Sequence, residues 1–288
     1  MDDRLRGAIW GQLVGDAAAL GSHWIYDLKE QERRYPGGVQ GFEAPVEGHY
    51  HYGKQPGEQT HYGDAALVLL DSVAERQRFD EVDFGRKFVA FFRTYRFYRD
   101  KSTRESLAHY ELDPGSYQNG ADDDECATAT RLAAILPVDH SPEVVRRLTL
   151  VTQNNARAIA YMQADAIVLQ ELLNGSEIEH AFEVAAASAE SEVREKIEAG
   201  LRAKGQDTTA AVASFGASCP LPKSFPGAIQ AAVTYPTDFR RAIVETLRAG
   251  GDNAGRAGMV GAWLGASLGL QAIPLEWRER LRAAPRLP

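Results

Sequence analysis

The sequence predicts an all-α fold, and three observations carry that prediction. Small residues recur every fourth position in two apolar stretches at opposite ends of the chain, Gly7, Gly11 and Gly15 near the start and Ala257, Gly261 and Gly265 near the end. Elsewhere apolar residues recur at helical spacing between recognisable helix starts and stops. Alternating apolar and polar runs, the mark of half-buried strands, are scarce. A glycine inside a helix costs about 1 kcal/mol, so a stripe of them implies a compensating close approach of another backbone. The two stripes are therefore expected to pack on one another at the centre of one orthogonal helical bundle spanning residues 1–288. No internal repeat, low-complexity segment or composition shift marks a boundary within it.

The elements follow in order. The first glycine stripe forms one helix, with Asp16 near its end and His23, Trp24, Tyr26 and Asp27 after it. A helix with an apolar face is expected over "DAALVLLDSVAERQ" from Asp64, and an aromatic-rich one over "FGRKFVAFFRTYRFYR" from Phe84. "SPEVVRRLTLVTQ" opens with Ser141 as N-cap, Pro142 at the first helical position and Glu143 in the first turn. "NARAIAYMQADAIVLQELLNG" ends on Asn174-Gly175, a helix stop. The stretch from Ser176 to Gly205 reads as one long helix, started by the capping pair Ser176 and Glu179. "TDFRRAIVETLRAGG" starts at Thr237-Asp238 and stops at Gly250, and the second small-residue stripe follows. Long loops are expected at 28–62, 99–125 and 214–226.

Composition narrows the function. Hydrophobic residues make up 44% and charged residues 25%, the values of an ordinary globular protein. Thirty-two basic against 40 acidic residues give a formal charge of −8, and no extended basic patch offsets it. Nucleic acid and anionic membranes are therefore unexpected partners, and no obligate protein partner is implied. The start is interrupted by charges and by Asp16, so no signal peptide is expected. Cys126 and Cys219 suit neither a disulfide framework nor a zinc site, and fit a reducing cytoplasm. The phosphate-binding, dinucleotide, zinc-protease and nucleophile-elbow motifs are absent, which argues against those chemistries.

The candidate chemistry lies where loops meet helices. Asp16, His23 and Trp24 follow the first helix, Thr60, His61, Tyr62 and Asp64 start another, and Asp252, Asn253 and Arg256 start a third. Taken singly, Asp64 and Asp252 read as helix caps, His23 as a structural histidine, Trp24 as core and Asp122 to Glu125 as a solvated acidic loop. Taken together, acids beside glycine at three junctions suggest a pocket for hydroxyls or a hard cation.

These junctions resemble the ADP-ribosylglycohydrolase family, and more closely its crystallin J1-like branch. The matching stretches are "GQLVGDAAALGSHWIYD", "QTHYGDAALVLL", "FGASCPLPKSFPGAI" and "AGGDNAGRAGMVGAWLGA", which span essentially the whole chain. The resemblance implies an all-α bundle with a central cleft. It also implies hydrolysis of an N- or O-glycosidic bond in a small ADP-ribose or ribosyl-type molecule, with two Mg²⁺ ions. The crystallin branch implies the alternative of a catalytically silent structural or ligand-binding protein.

This chain departs from the family's ligand motifs. Where the family has Thr-Asp-Asp-Thr, the matched positions are Gly63, Asp64, Ala65 and Ala66. Where it has Gly-Gly-Asp-Thr-Asp-Thr, they are Gly250, Gly251, Asp252, Asn253, Ala254 and Gly255. A family glutamate falls at about His23, and Arg256 is an addition. The expectation is a remodelled centre in which Asp64, Asp252 and His23 line one cleft and are catalytic. Asp16, Trp24, Tyr62, Asn253 and Arg256 would contact substrate. Asp64 and Asp252 would hold no metal, or one weakly bound Mg²⁺, since two carboxylates cannot hold a bridged pair. Ligands from Asp122 to Asp124 would be the alternative source of a metal site.

Overall fold

A computed structural model describes residues 2–288. Its α-helices, in chain order, begin with α1 (Asp3–Ala19), α2 (Leu28–Arg34), α3 (His61–Arg76), α4 (Glu81–Arg93) and α5 (Lys101–Leu112). After a 3₁₀ segment at Ala129–Ile135 come α6 (Pro142–Thr152), α7 (Ala156–Leu173), α8 (Ile178–Ser188) and α9 (Ser191–Arg202). The last five are α10 (Thr208–Phe215), α11 (Leu221–Thr234), α12 (Phe239–Arg248), α13 (Asn253–Leu268) and α14 (Leu275–Arg280). Among the described residues there is no strand, only isolated bridges between loops. The starts are chemically marked: Asp2, Thr60, Asp100, Asn155 and Asp252 each accept a backbone N–H of the helix they cap.

The two stripes meet as the sequence predicts. Helices α1 and α13 run antiparallel with their backbones in contact. A Cβ added to Gly11 would stand 2.0 Å from the Gly261 carbonyl oxygen, and one added to Gly15 would stand 2.1 Å from that of Ala257. The pairing continues past both helices. Trp24 N–H donates to Gly251 O and Gly251 N–H to Ile25 O, each at 2.8 Å. The C-terminal end of α1 is thereby fastened to the N-terminal end of α13. Helices α3, α7, α11 and α12 and the 3₁₀ segment pack around this pair, and the buried apolar side chains form one continuous cluster.

Several expected boundaries move. Helix α3 starts at His61 because Thr60, not a residue beside Asp64, accepts the first free N–H. Helix α4 stops at Arg93, where Tyr95 and Phe97 leave the helix to pack on Lys54. The stretch after Ser176 is two helices. Arg194 donates to the Ala186 and Ala189 carbonyls, closing the end of α8 so that α9 starts at an angle. Ser176 makes no capping box, because its hydroxyl donates to Glu171 instead at 2.6 Å. The expected loops hold α2, α5 and the start of α11. Prolines 222 and 226 hid α11: the first lies in the opening turn, where no donor is needed, and the second removes one ladder bond.

Two expectations follow. Gly11→Ala should destabilise the protein by about 1–3 kcal/mol or more, against the gain of about 1 kcal/mol that helix propensity alone gives. The opposing atom is a carbonyl in a helix backbone and cannot move aside. Equal unfolding midpoints for parent and variant would contradict the close approach. The second concerns Asp165, buried on α7, which accepts a 2.6 Å bond from Trp263 Nε1. Burial pushes its carboxyl from 3.8 up to about 7, with the Trp263 bond pulling the other way. The folded state thus holds the proton more tightly. Its contribution is present below pH 3.8 and is lost as pH rises through about 7. Asp165→Asn keeps an acceptor without the charge. Denaturation at pH 5 and pH 8 should show the variant gaining on the parent at the higher pH, by roughly 3 kcal/mol.

Candidate functional site

The fastening of α1 to α13 sets His23 and Trp24 against Asp252. Trp24 takes a left-handed backbone with φ 61°, a conformation that a bulky residue adopts only when its surroundings impose it. Its ring stacks on His23 with centroids 4.1 Å apart, and lies 5.1 Å from His61 and 6.1 Å from His51. Tyr50 and Tyr98 stand edge-on to Trp24 at 5.2 and 4.8 Å. The loop before α3 supplies His49 and His51, and the first turn of α3 supplies His61 and Tyr62. The result is a cluster of imidazoles roofed by aromatic rings.

Burial leaves much of this cluster unpaired. His23, His51, His61, Tyr62 and Asp252 are each 0–1% exposed. His23 Nε2, both ring nitrogens of His51 and His61, the Tyr62 hydroxyl and Asp252 Oδ2 have no hydrogen-bond partner. Burial pushes the His23 and His51 imidazoles well below their ordinary value, and neighbouring imidazoles add to the effect, so both are neutral. His23 Nδ1 stands 3.5 Å from Asp252 Oδ1, and His61 Nε2 stands 3.4 Å from Asp100 Oδ2. Asp252 also caps α13 through Gly255 N–H at 3.2 Å. Burial raises the Asp252 pKa and the Arg256 guanidinium opposes that rise.

The structure therefore brings His23, Trp24, Tyr62 and Asp252 together and separates Asp64 from them. Asp64 Oδ2 accepts from Lys54 Nζ at 2.5 Å and from Tyr95 OH at 2.6 Å. It lines a different cavity of about 290 Å³ with Gln59, Phe97, Arg282 and Arg286. The reason is helix register: Asp64 lies a full turn after the cap, while positions 61 and 62 face the cluster. Thr60 is the helix cap, and His61 and Tyr62 of the first turn, not Asp64, reach the cluster.

Three expected substrate contacts are instead internal ties. Asp16 is buried on α1 and accepts from Thr60 N at 2.7 Å, from the Thr60 hydroxyl and from the Gln59 amide, anchoring α3 to α1. Burial pushes its carboxyl up to about 6 while the Thr60 bonds pull it down. Asn253 Nδ2 donates to Ser22 Oγ at 2.9 Å and to Leu247 O at 3.0 Å. Arg256 is 0% exposed and donates to the Gly250 and Ala217 carbonyls. In the acidic segment, Asp122 accepts from Asn155 and Asp124 from Arg157 at the surface. They are not ligands to this cluster.

Sequence reasoning passed over His51 and Asp100, and read Glu125 as part of a solvated acidic loop. The doublet His49–His51 in an expected loop was the available signal for the first. Glu125 lies between the surface acids and the core. Burial, with Asp123, Asp100 and Asp252 nearby, pushes its carboxyl from 4.5 up to about 8, so it keeps its proton at neutral pH. A protonated carboxyl and a carboxylate in one place are the two groups that acid-assisted bond cleavage requires.

The donor set does not fit the paired Mg²⁺ ions that the family resemblance implies. Mg²⁺ requires near-octahedral oxygen coordination. Here the imidazoles of His23, His51 and His61 crowd one unpaired carboxylate oxygen, Ala254 and Gly255 offer no side-chain donor, and Arg256 adds a buried positive charge. Asp64 does not join Asp252 to hold even a single ion.

Comparison with known proteins agrees with the geometry of the frame. The ADP-ribosylglycohydrolase family profile matches residues 1–287. Crystallin J1A of Tripedalia cystophora is 26% identical, with 96% of this chain and 92% of the crystallin covered. Crystallin J1B of the same animal is 28% identical over the same shares. A solved structure described as an "ADP-ribosylglycohydrolase-related protein complex" superposes with a TM-score of 0.74 at 23% identity, covering 98% of this chain and 93% of that one. The chain belongs to the ADP-ribosylglycohydrolase family.

Proposed function

We propose that the protein hydrolyses an N- or O-glycosidic bond in a small ribosyl or ADP-ribose-type molecule. The observation that supports this most directly is the convergence of unpaired polar atoms at one buried place: Asp252 Oδ2, Tyr62 OH and His23 Nε2. Each costs free energy to bury without a partner, and packing alone would favour apolar replacements. In this reading Glu125 donates its proton to the leaving group. Asp252 stabilises the positive charge that develops at the anomeric carbon and orients the attacking water, with His23 beside it. Tyr62 contacts a sugar hydroxyl, and the Trp24, Tyr50 and Tyr98 roof turns aside to admit substrate and stacks on it. Tyr50 is already 55% exposed. Mg²⁺ takes no part, or enters as one weakly held ion. Two free, buried cysteines suit a cytoplasmic setting.

A second reading is favoured by the complete burial of His23, His51, His61 and Asp252 beneath Trp24. A cleft closed in this way also suits a catalytically silent protein of the crystallin kind.

One experiment separates the two readings. The protein is incubated with a panel of ribosylated and ADP-ribosylated small molecules, with and without added Mg²⁺, and products are read by mass spectrometry. The hydrolase reading expects release of ribose or ADP-ribose from one class of compound, with no need for added Mg²⁺. It expects Glu125→Gln to slow turnover by about 10²–10⁴-fold. It also expects the rate to fall as pH rises through about 8, where Glu125 loses the proton it must donate. Absence of turnover across the panel would favour the silent protein.

Lys54 and Asp64 lie outside the reacting centre, and no metal links Asp64 to Asp252 in this reading. Asp64→Asn should therefore leave turnover within a few-fold of the parent while Asp252→Asn removes it.

A further inference from the structure

We propose that His23, His51 and His61 bind one first-row transition-metal ion of the Zn²⁺ and Co²⁺ class. The three residues each offer a ring nitrogen, and these nitrogens all lie within 4.8 Å of one another. The rings stand at the corners of a nearly equilateral triangle, with centroids 5.6 to 5.8 Å apart. Nitrogens bound to one tetrahedral Zn²⁺ at about 2.0–2.1 Å lie roughly 3.3 Å from each other. The rings lie at 11° to 33° to one another, so binding also requires side-chain rotations that turn their planes toward one point.

His49 shows what a structural histidine in the same place looks like. Its Nε2 pairs with the His23 carbonyl at 2.7 Å, and its Nδ1 accepts His51 N–H at 3.0 Å. Both nitrogens are satisfied, and the ring ties the loop to the end of α1. The three neighbours differ: five of their six ring nitrogens have no hydrogen-bond partner although the side chains are almost wholly buried.

Carboxylates stand behind two of the three. Asp252 Oδ1 lies 3.5 Å from His23 Nδ1, and Asp100 Oδ2 lies 3.4 Å from His61 Nε2. Asp100 is itself held by Thr103 N–H at 2.7 Å as the cap of α5. Asp100 can take the proton at His61 Nε2 and leave the lone pair of Nδ1 for a metal, the support that metal-binding histidines have, while His23 Nδ1 accepts Ala254 N–H at 3.4 Å beside Asp252. Imidazole nitrogens suit Zn²⁺, Co²⁺, Ni²⁺ or Cu²⁺, whereas Mg²⁺ requires oxygen. Three protein ligands leave a fourth position for water or substrate. The inference does not rest on the hydrolase reading, because it is tested by binding and not by turnover.

The test uses the whole chain after chelator treatment and dialysis, titrated with Co²⁺ alone and with Zn²⁺ alone. The expected result is one Co²⁺ per chain, visible bands of a tetrahedral centre, displacement by Zn²⁺ but not by Mg²⁺, and a raised melting temperature. His51→Ala should weaken Co²⁺ binding by roughly 100-fold or more. Asp100→Asn, which keeps the helix cap, should weaken it by about 10–100-fold. His140→Ala, outside the cluster, should leave it unchanged. A parent that binds neither ion, binding unaltered in His51→Ala, or displacement by Mg²⁺ would overturn the proposal. If His51→Ala does not fold, Cu²⁺-loaded parent decides by electron paramagnetic resonance. Hyperfine structure from three imidazole nitrogens supports the site, and its absence refutes it.

Discussion

Everything at the centre of this protein depends on one contact, the backbone-to-backbone packing of α1 on α13. Three pairs of small residues let the helices approach until carbonyl oxygens occupy the space where side chains would begin. Because the helices are antiparallel, the end of the first must lie beside the start of the second. His23 follows one and Asp252 caps the other, so residues 229 positions apart meet without any long-range loop. The hydrogen bonds between Trp24, Ile25 and Gly251 extend the contact beyond the helices. Gly251, with φ 61°, has Ala217 O only 2.2 Å from where its Cβ would stand, so no other residue fits there. The same clamp imposes the left-handed backbone that lays Trp24 over the imidazoles.

Charge at this centre is arranged by burial. Arg256 and Asp252 lie within one turn of α13, and both are fully buried. The guanidinium is held by carbonyls of Gly250 and Ala217, so it stabilises the turn that presents Asp252 as well as countering its charge. On the opposite side, Glu125 and Asp123 lie among other acids, and burial raises both. One carboxylate beside a fixed cation and another carboxyl forced to keep its proton is an asymmetry that the sequence spacing does not reveal. It arises only when the segment before the 3₁₀ helix is brought against the start of α13.

The stripes, the caps at Ser141 and Asp238 and the stops at Gly175 and Gly250 were legible because each is a local signal read within one or two turns. Helix α11 was not, since Pro222 and Pro226 look like breakers until their positions in the first turns are known. The site was half legible. Asp252, His23, Trp24 and Tyr62 stand at loop-to-helix junctions and could be suspected one by one. Asp64 misled because an acid beside glycine near a helix start resembles a ligand, yet its one-turn offset from Thr60 points it at Lys54. His51 and Glu125 carried no local pattern of ligation, and their importance comes from burial without partners, a property of the fold alone.

The imidazoles also set the charge balance of the centre. Several buried carboxylates facing one another repel, and a cluster of that kind depends on cations to be stable. Burial keeps His23 and His51 neutral, so these two rings beneath an indole impose only the smaller penalty of unpaired nitrogens. The imidazole of His61, the lack of side-chain donors at Ala254 and Gly255 and the buried Arg256 are therefore mutually consistent. Asp252 and the Gly250 and Ala217 carbonyls make a buried guanidinium tolerable there. With the guanidinium present, a pair of hard dications is not. The frame rests on the α1–α13 backbone contact, which does not depend on the side chains at its end, where His23, His51 and His61 gather.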